Sequence, residues 1–371
     1  MDPLEGASSL EQKMLDSADE KKIPINGCIE LLPLCNMRCK MCYVRMDRGD
    51  MEKKGRLRTA AEWLEIGKQM QEAGTLFVLL TGGEPLLYPE FKEVYLGLKK
   101  LGMILTINTN GTLLDEEWAD FFAQHKPRRI NITLYGADDE AYKTLCSYPG
   151  GYSKAVNAIR MLRERKVDVR MGTSVTPVNV GDIDRIMAQA QELKCPIIMD
   201  TYMMPGIRER DMDYPQNARL SPTDAARARI KALKGEMGSE LFAQYATGSI
   251  EQVKCFRGVD CETGMSCHAG NCSYVINWQG NLRPCIILGE PSVSVFEEGF
   301  MPAWKKIVEA CGSIKRCSKC NSCDLRPVCR TCVASCMLET GSYEGVPEYM
   351  CRYAEESYRL LKLEAEGAKD D

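Results

Sequence analysis

The chain has 371 residues, with 48 Lys and Arg against 52 Asp and Glu, and a net charge of −4. That length predicts two domains or one large one with a sizeable core. The charge is mixed, with neither a basic stripe nor a long like-charge run, so nucleic acid is not an expected partner. No apolar run reaches membrane-spanning length, and the N-terminal MDPLEGASSLEQKMLDSADEKK lacks the pattern of a signal peptide, so no membrane is expected and a cytoplasmic location is. Nineteen cysteines in a reducing compartment then call for metal or cluster ligation rather than disulfides. The two histidines, His125 and His268, are too few for a His-rich metal site. Six cysteines fall in residues 1–250 and thirteen in 251–371, which predicts a domain boundary near residue 250.

In chain order, residues 1–24 read as a polar tail, at most one loose helix. Apolar runs at Ile29–Leu34, Leu76–Leu80, Met103–Thr109, Arg129–Leu134, Val167–Val175 and Ile197–Tyr202 predict six buried strands. Helical patterns alternate with them at Thr59–Glu72, Pro89–Lys100, Asp115–Gln124, Ala137–Leu145 with Ser153–Arg165, and Ile183–Leu193, and Ala225–Leu233 follows the last strand. Six such alternations predict a parallel sheet with right-handed crossovers, either an open doubly wound sheet or a partial (β/α)6 barrel. We take the α/β fold as a partial (β/α)6 TIM-like barrel over 25–236. A linker at 237–254, a Cys-rich domain at 255–360 ending in a helix, and a disordered tail at 361–371 complete the expected organisation. The barrel is preferred because three motifs fall at the carboxyl ends of consecutive strands, the face on which barrel active sites are built.

The first of these is CNMRCKMCY after strand one, in which Cys35, Cys39 and Cys42 form C-x3-C-x2-C. Three thiolates can hold three irons of a 4Fe–4S cube and leave the fourth open to another molecule. Zinc prefers four ligands in pairs, and no fourth Cys or His follows nearby. The second is Gly82-Gly83-Glu84-Pro85 after strand two: paired glycines permit close backbone approach, and a carboxylate can accept from an ammonium group. The third is Thr109-Asn110-Gly111, which by itself also reads as a plain turn. Together these segments resemble the cluster motif, the GGEP loop and the TNG turn of radical S-adenosylmethionine (SAM) enzymes. The resemblance covers about residues 25–205. It implies that Cys35, Cys39 and Cys42 hold a catalytic cluster, that the GGEP loop meets the amino group of SAM, and that Thr109 and Asn110 lie beside it. Asn131–Gly136 resembles the family's strand-four segment, with Thr133 in place of Ser, keeping a hydroxyl for SAM, and Tyr135 in place of Asp. Thr173–Thr176 could supply a ribose contact or simply pack in the strand.

Farther on, Cys267 is followed by twelve residues, Gly280, four residues and Cys285, and then by Cys320-x2-Cys323-x5-Cys329, Cys332 and Cys351. This resembles the SPASM domain, a carrier of two auxiliary Fe–S clusters. By that resemblance Cys320, Cys323, Cys329 and Cys351 hold one auxiliary cluster. Cys267, Cys285 and Cys332 hold the other, with a fourth ligand from Cys272, Cys261 or Cys255, or none. Cys317 also lies near enough in sequence to ligate, and the family's next cysteine position is taken here by Val333, with Cys332 before it and Cys336 after it. A competing arrangement pairs Cys320-x2-Cys323 with Cys329-x2-Cys332 as a four-cysteine zinc knuckle. Cys28, Cys146, Cys195 and Cys311 read as small buried hydrophobes, although a thiol facing the barrel could donate a hydrogen atom to a substrate radical. Arg208, after strand six, could bind a substrate carboxylate.

The resemblance implies three 4Fe–4S clusters, SAM as co-substrate, and a flavodoxin or ferredoxin as electron donor. It further implies oxidative modification of a ribosomally made peptide by thioether or carbon–carbon bond formation, or epimerisation. A separate leader-binding protein is an expected partner, because only about two dozen residues precede strand one. The alternatives are a formylglycine-forming sulfatase maturase, a small-molecule radical dehydrogenase, and, more distantly, a non-catalytic Fe–S protein.

Overall fold

The computed structural model describes residues 9–205, 218–258 and 262–367. Arg208 and Cys261 lie outside these residues. Strands β1 (Asn26–Glu30), β2 (Phe77–Thr81), β3 (Ile104–Thr109), β4 (Arg129–Thr133), β5 (Val169–Ser174) and β6 (Ile197–Asp200) pair in parallel, each with the next. The connections carry helices α1 (Ser9–Lys21) before β1, then α2 (Arg48–Lys54), α3 (Ala60–Glu72), α4 (Phe91–Lys100), α5 (Glu116–Gln124), α6 (Asp139–Cys146), α7 (Gly151–Glu164) and α8 (Ile183–Glu192). The result is the α/β, partial TIM-like barrel expected from the sequence, left open between its edge strands.

Local sequence sets the element ends. Thr59 caps α3 in a reciprocal box with Glu62, and the side chains of Asp115 and Asp138 accept from the third residues of α5 and α6. Strand one differs from the expected Ile29–Leu34: it runs from Asn26 to Glu30, and Leu31 and Leu32 are buried after leaving the sheet. Their apolar character reflects packing beneath the cysteine loop, a signal that periodicity cannot separate from a strand.

The Cys-rich segment continues the same sheet. β7 (Ser273–Ile276) lies parallel to β1, with Asn26 opposite Ser273 and Ile29 opposite Ile276, and β8 (Asn281–Arg283) and β9 (Val293–Ser294) follow antiparallel. Three expectations are corrected. The stretch 237–254 is not a linker: a helix spans Ser239–Cys255, and its Phe242, Ala246 and Ile250 pack with Leu361 of the helix Glu348–Ala365. That last helix also carries order through 365 into the expected disordered tail, because Met350, Tyr353, Ala354, Ser357 and Leu361 form one buried face in a charged background. Finally, α1 is no loose tail, since Leu15 and Ala18 are buried against Ile25, Phe77 and Cys272.

Candidate active site at the carboxyl ends of the strands

A cavity of about 560 Å³ opens at the carboxyl ends of the barrel strands. Its lining brings together Cys35, Cys39 and Cys42 with Gly82, Gly83, Thr109, Asn110 and Thr133, and with Cys267 and Cys285. The cysteine loop is held at several points. Met37 and Met41 are buried as anchors. The backbone N–H groups of Arg38 and Lys40 donate to the carbonyls of Cys146 and Leu145, at the C-terminal end of α6, each at 2.9 Å. The Met37 N–H lies 3.4 Å from Cys35 Sγ, and the Arg45 N–H 3.3 Å from Cys42 Sγ.

Burial pushes the Cys35 thiol up to about 12. Cys39 is also raised well above its ordinary value, first by its hydrogen bond with Cys146 and then by burial, while the Tyr135 hydroxyl, donating to the same sulfur, acts the other way. The metal-free Cys35 and Cys39 thiols therefore favour the protonated form, and a bound cationic cluster would displace those protons. Three soft donors facing one cavity, two of them aided by backbone N–H donors, fit an iron–sulfur cluster.

The glycines of GGEP serve a close approach of backbone to backbone. A Cβ on Gly82, at φ +142°, would sit 2.4 Å from Leu32 O, and one on Gly83 would sit 2.2 Å from Leu34 O. The Gly83 and Glu84 N–H groups donate to those same two carbonyls, at 2.8 and 2.9 Å, so the loop lies flush against the cysteine loop.

Glu84 is fully buried and does not line the cavity. Its carboxylate accepts from Thr109 Oγ1 at 2.7 Å and the Leu86 N–H at 3.1 Å through one oxygen, and from the Asn110 N–H at 2.8 Å through the other. Pro85 starts a buried 3-10 turn behind it. Asn110 Nδ2 in turn donates to Asn36 Oδ1 at 2.9 Å and reaches Cys35 Sγ at 3.7 Å, while Asn36 Nδ2 donates to Thr112 Oγ1 at 2.8 Å. One hydrogen-bond network thus ties the three sequence motifs together, with Glu84 at its centre. Three donors of the chain itself thus meet the Glu84 carboxylate.

Sequence reasoning gave no role to Tyr135 and Cys146 at the cluster loop, and the structure supplies one. Both contact Cys39, and the Tyr135 backbone is fixed by Asn179 Nδ2, which donates to its carbonyl at 2.9 Å. Only the departure from the usual Asp at position 135 could have flagged this. Tyr135→Phe is expected to shift the midpoint potential of a cluster held by Cys39 to a more negative value, because a hydrogen bond to a ligand sulfur favours the reduced form. Potentiometric electron paramagnetic resonance reads this directly, and an unchanged potential would remove the hydroxyl from the cluster's surroundings.

The remaining cysteines fall into two groups. Cys267, Cys285 and Cys332 interact electrostatically with one another, and Cys311, expected only to pack, joins them through Cys285 and Cys267. Cys351 faces Cys320, Cys329 and Cys323, and Cys317 and Cys336 both hydrogen-bond Cys320. Cys332 thus acts on Cys267 and Cys285, and Cys329 on Cys351, which favours two separate groups over the four-cysteine knuckle. Cys272 is fully buried beside α1, with its Sγ 3.8 Å from Asp19 Oδ1, and Cys255 is exposed at the end of its helix. Cys28 lines the main cavity with Leu79 and Val275, whereas Cys195 is buried and donates to the Val169 carbonyl. No helix among the described residues is long and apolar enough to cross a membrane.

Residues 29–190 match the radical SAM superfamily. Among curated proteins, the chain is 24% identical to the AdoMet-dependent heme synthase of Methanosarcina barkeri, over 85% of this chain and 92% of that protein. It is 23% identical to the antilisterial bacteriocin subtilosin biosynthesis protein AlbA of Bacillus subtilis, over 73% of this chain and 56% of AlbA, so it spans about half of that relative's length. Among solved structures, Streptococcus suis SuiB bound to its precursor peptide SuiA superposes with a TM-score of 0.65 at 18% identity, covering 92% of this chain and 80% of SuiB. At that identity the likeness establishes the fold.

Proposed function

We propose that this chain, whose residues 29–190 match the radical SAM superfamily, is an enzyme that oxidatively modifies a ribosomally made peptide at the cavity lined by the cysteine loop and the Cys-rich segment. The observation that carries this reading is the lining of that cavity, which brings Cys35, Cys39 and Cys42 together with Cys267 and Cys285. A 4Fe–4S cluster and SAM, when bound, supply reductive cleavage of the sulfonium to a 5'-deoxyadenosyl radical that removes a hydrogen atom from an unactivated C–H bond.

The chain's own residues place and enclose that chemistry. Cys35, Cys39 and Cys42 would hold the cluster. Gly82 and Gly83 expose backbone to the cavity, and Thr109, Asn110 and Thr133 offer polar groups around it. Glu84, tied to Thr109 and Asn110, would hold the strand-three turn in place and, with Pro85, set the GGEP loop against the SAM amino group. Cys267, Cys285 and Cys332, and Cys320, Cys323, Cys329 and Cys351, would hold two auxiliary clusters, which would supply a sink for the second electron of the oxidation. A flavodoxin or ferredoxin would supply the first, and nineteen cysteines favour a reducing, cytoplasmic setting. AlbA, named for subtilosin biosynthesis, and SuiB, solved with a precursor peptide, support a peptide substrate, delivered with or without a separate leader-binding protein.

A second reading, a small-molecule substrate, is favoured by one observation: the likeness to the heme synthase extends over 92% of that protein. Anaerobic turnover with a co-encoded short peptide, read by mass spectrometry, separates the two. Loss of two hydrogens, or uptake of deuterium at a Cα, is expected. SAM consumption coupled to a tetrapyrrole or another small molecule, with every peptide unchanged, would overturn the peptide reading.

A further inference from the structure

Asp19, His268 and Cys272 meet where α1 packs against the segment leading into β7. One ligand atom from each lies within 4.8 Å of the others. Asp19 Oδ1 is 3.1 Å from His268 Nδ1 and 3.8 Å from Cys272 Sγ. In a tetrahedral zinc site with ordinary bond lengths, neighbouring ligand atoms stand about 3.3 Å apart for N and O and about 3.5 Å apart for S and O. The two edges from Asp19 are thus already close to those of such a tetrahedron, and the third, between His268 and Cys272, is within 4.8 Å.

The backbone holds them there. The N–H groups of Asn271, Cys272 and Ser273 all donate to the His268 carbonyl, at 3.0, 2.9 and 2.8 Å, in a tight turn that fixes His268 and Cys272 relative to each other. Asp19 is fixed by its own helix, because Leu15 and Ala18 are buried against Phe77, Ile25 and Cys272. Lys22 Nζ lies 3.9 Å from the other carboxylate oxygen and donates to Asn271 Oδ1 at 2.9 Å, so it stays beside the site without blocking Oδ1. The sulfur is fully buried, while the His268 and Asp19 side chains are 32% and 31% exposed, which leaves a solvent-facing position for a fourth ligand.

We propose that Asp19, His268 and Cys272 form a zinc site, with water as the fourth ligand, that ties the N-terminal helix to the Cys-rich segment. One nitrogen, one sulfur and one oxygen donor suit this borderline-soft ion better than they suit an iron–sulfur cluster, which takes cysteine almost throughout. The proposal also gives Cys272 a task away from Cys267, Cys285 and Cys332. It is independent of the substrate and of the radical chemistry.

The test uses the full chain, reconstituted anaerobically with iron and sulfide, exposed to zinc and desalted. About one zinc per chain is expected, with a zinc-edge X-ray absorption spectrum showing one sulfur and the remaining neighbours as nitrogen or oxygen. His268→Ala is the main variant, since this side chain is partly exposed and its loss opens no cavity in the core. It should lose the zinc and keep wild-type iron and sulfide, and Asp19→Asn should weaken zinc binding with the same iron content. Failure of the wild-type chain to retain zinc would overturn the proposal. So would retention of zinc by His268→Ala, or a spectrum with four sulfurs, which would place the ion among the other cysteines.

Discussion

The variant with Cys35, Cys39 and Cys42 all replaced by Ala is expected to form no 5'-deoxyadenosine from SAM under dithionite. It should also lose the iron of one cluster while keeping the iron of the Cys-rich segment. The three thiols line one cavity, and the groups around Cys285 and Cys351 are separate from them. The fold should survive, because the loop is anchored independently by Met37, Met41 and the bonds to the end of α6. Iron and sulfide analysis with circular dichroism checks this. Loss of all iron would mean that the loop organises the whole molecule, and residual SAM cleavage would mean that the cofactor binds elsewhere.

Glu84→Ala is expected to weaken SAM binding by tenfold or more and to destabilise the protein, even though the carboxylate does not line the cavity. Its removal strands the Thr109 hydroxyl and the Asn110 and Leu86 N–H groups in a buried setting, and each buried donor left unsatisfied costs about 1–3 kcal/mol. The strand-three turn, and with it Asn110 beside Cys35, would then move. Glu84→Gln keeps the shape and separates charge from packing.

Burial pushes Glu84 up to about 7 despite its three donors. An acid whose pKa is raised on folding takes up protons as the chain folds, so its favourable contribution is complete below the unfolded value of about 4.3 and is lost as pH rises through 7. The stability of the wild type relative to Glu84→Gln should therefore fall between pH 5 and 7.5. Thermal unfolding of both proteins across that range reads the change, and a constant difference would show that Glu84 does not titrate there.

The barrel and the convergence of its motifs were legible because buried parallel strands are apolar throughout, and Cys35, Gly82 and Thr109 each follow one. The extent of strand one was not, since Leu31 and Leu32 are buried for loop packing. The helix Ser239–Cys255 was missed because its buried Phe242, Ala246 and Ile250 are spaced among small and polar residues. The chemistry of Glu84 was half visible: sequence marks it as important, but only coordinates reveal that its partners are Thr109, Asn110 and Leu86. The assignment of Cys329 and Cys332 to different groups was already implied by the spacing of the Cys-rich segment, whereas the association of Cys311 with Cys267 and Cys285 was not. Nor was the meeting of Asp19 with His268, 249 positions apart.

The most direct measurement is anaerobic incubation of the reconstituted wild-type chain with SAM and dithionite, followed by quantification of 5'-deoxyadenosine and methionine. The cavity formed by the cysteine, GGEP and TNG loops predicts both products, in equal amounts and faster with the cognate substrate. A fully iron-loaded protein that binds no SAM and releases neither product would contradict the account.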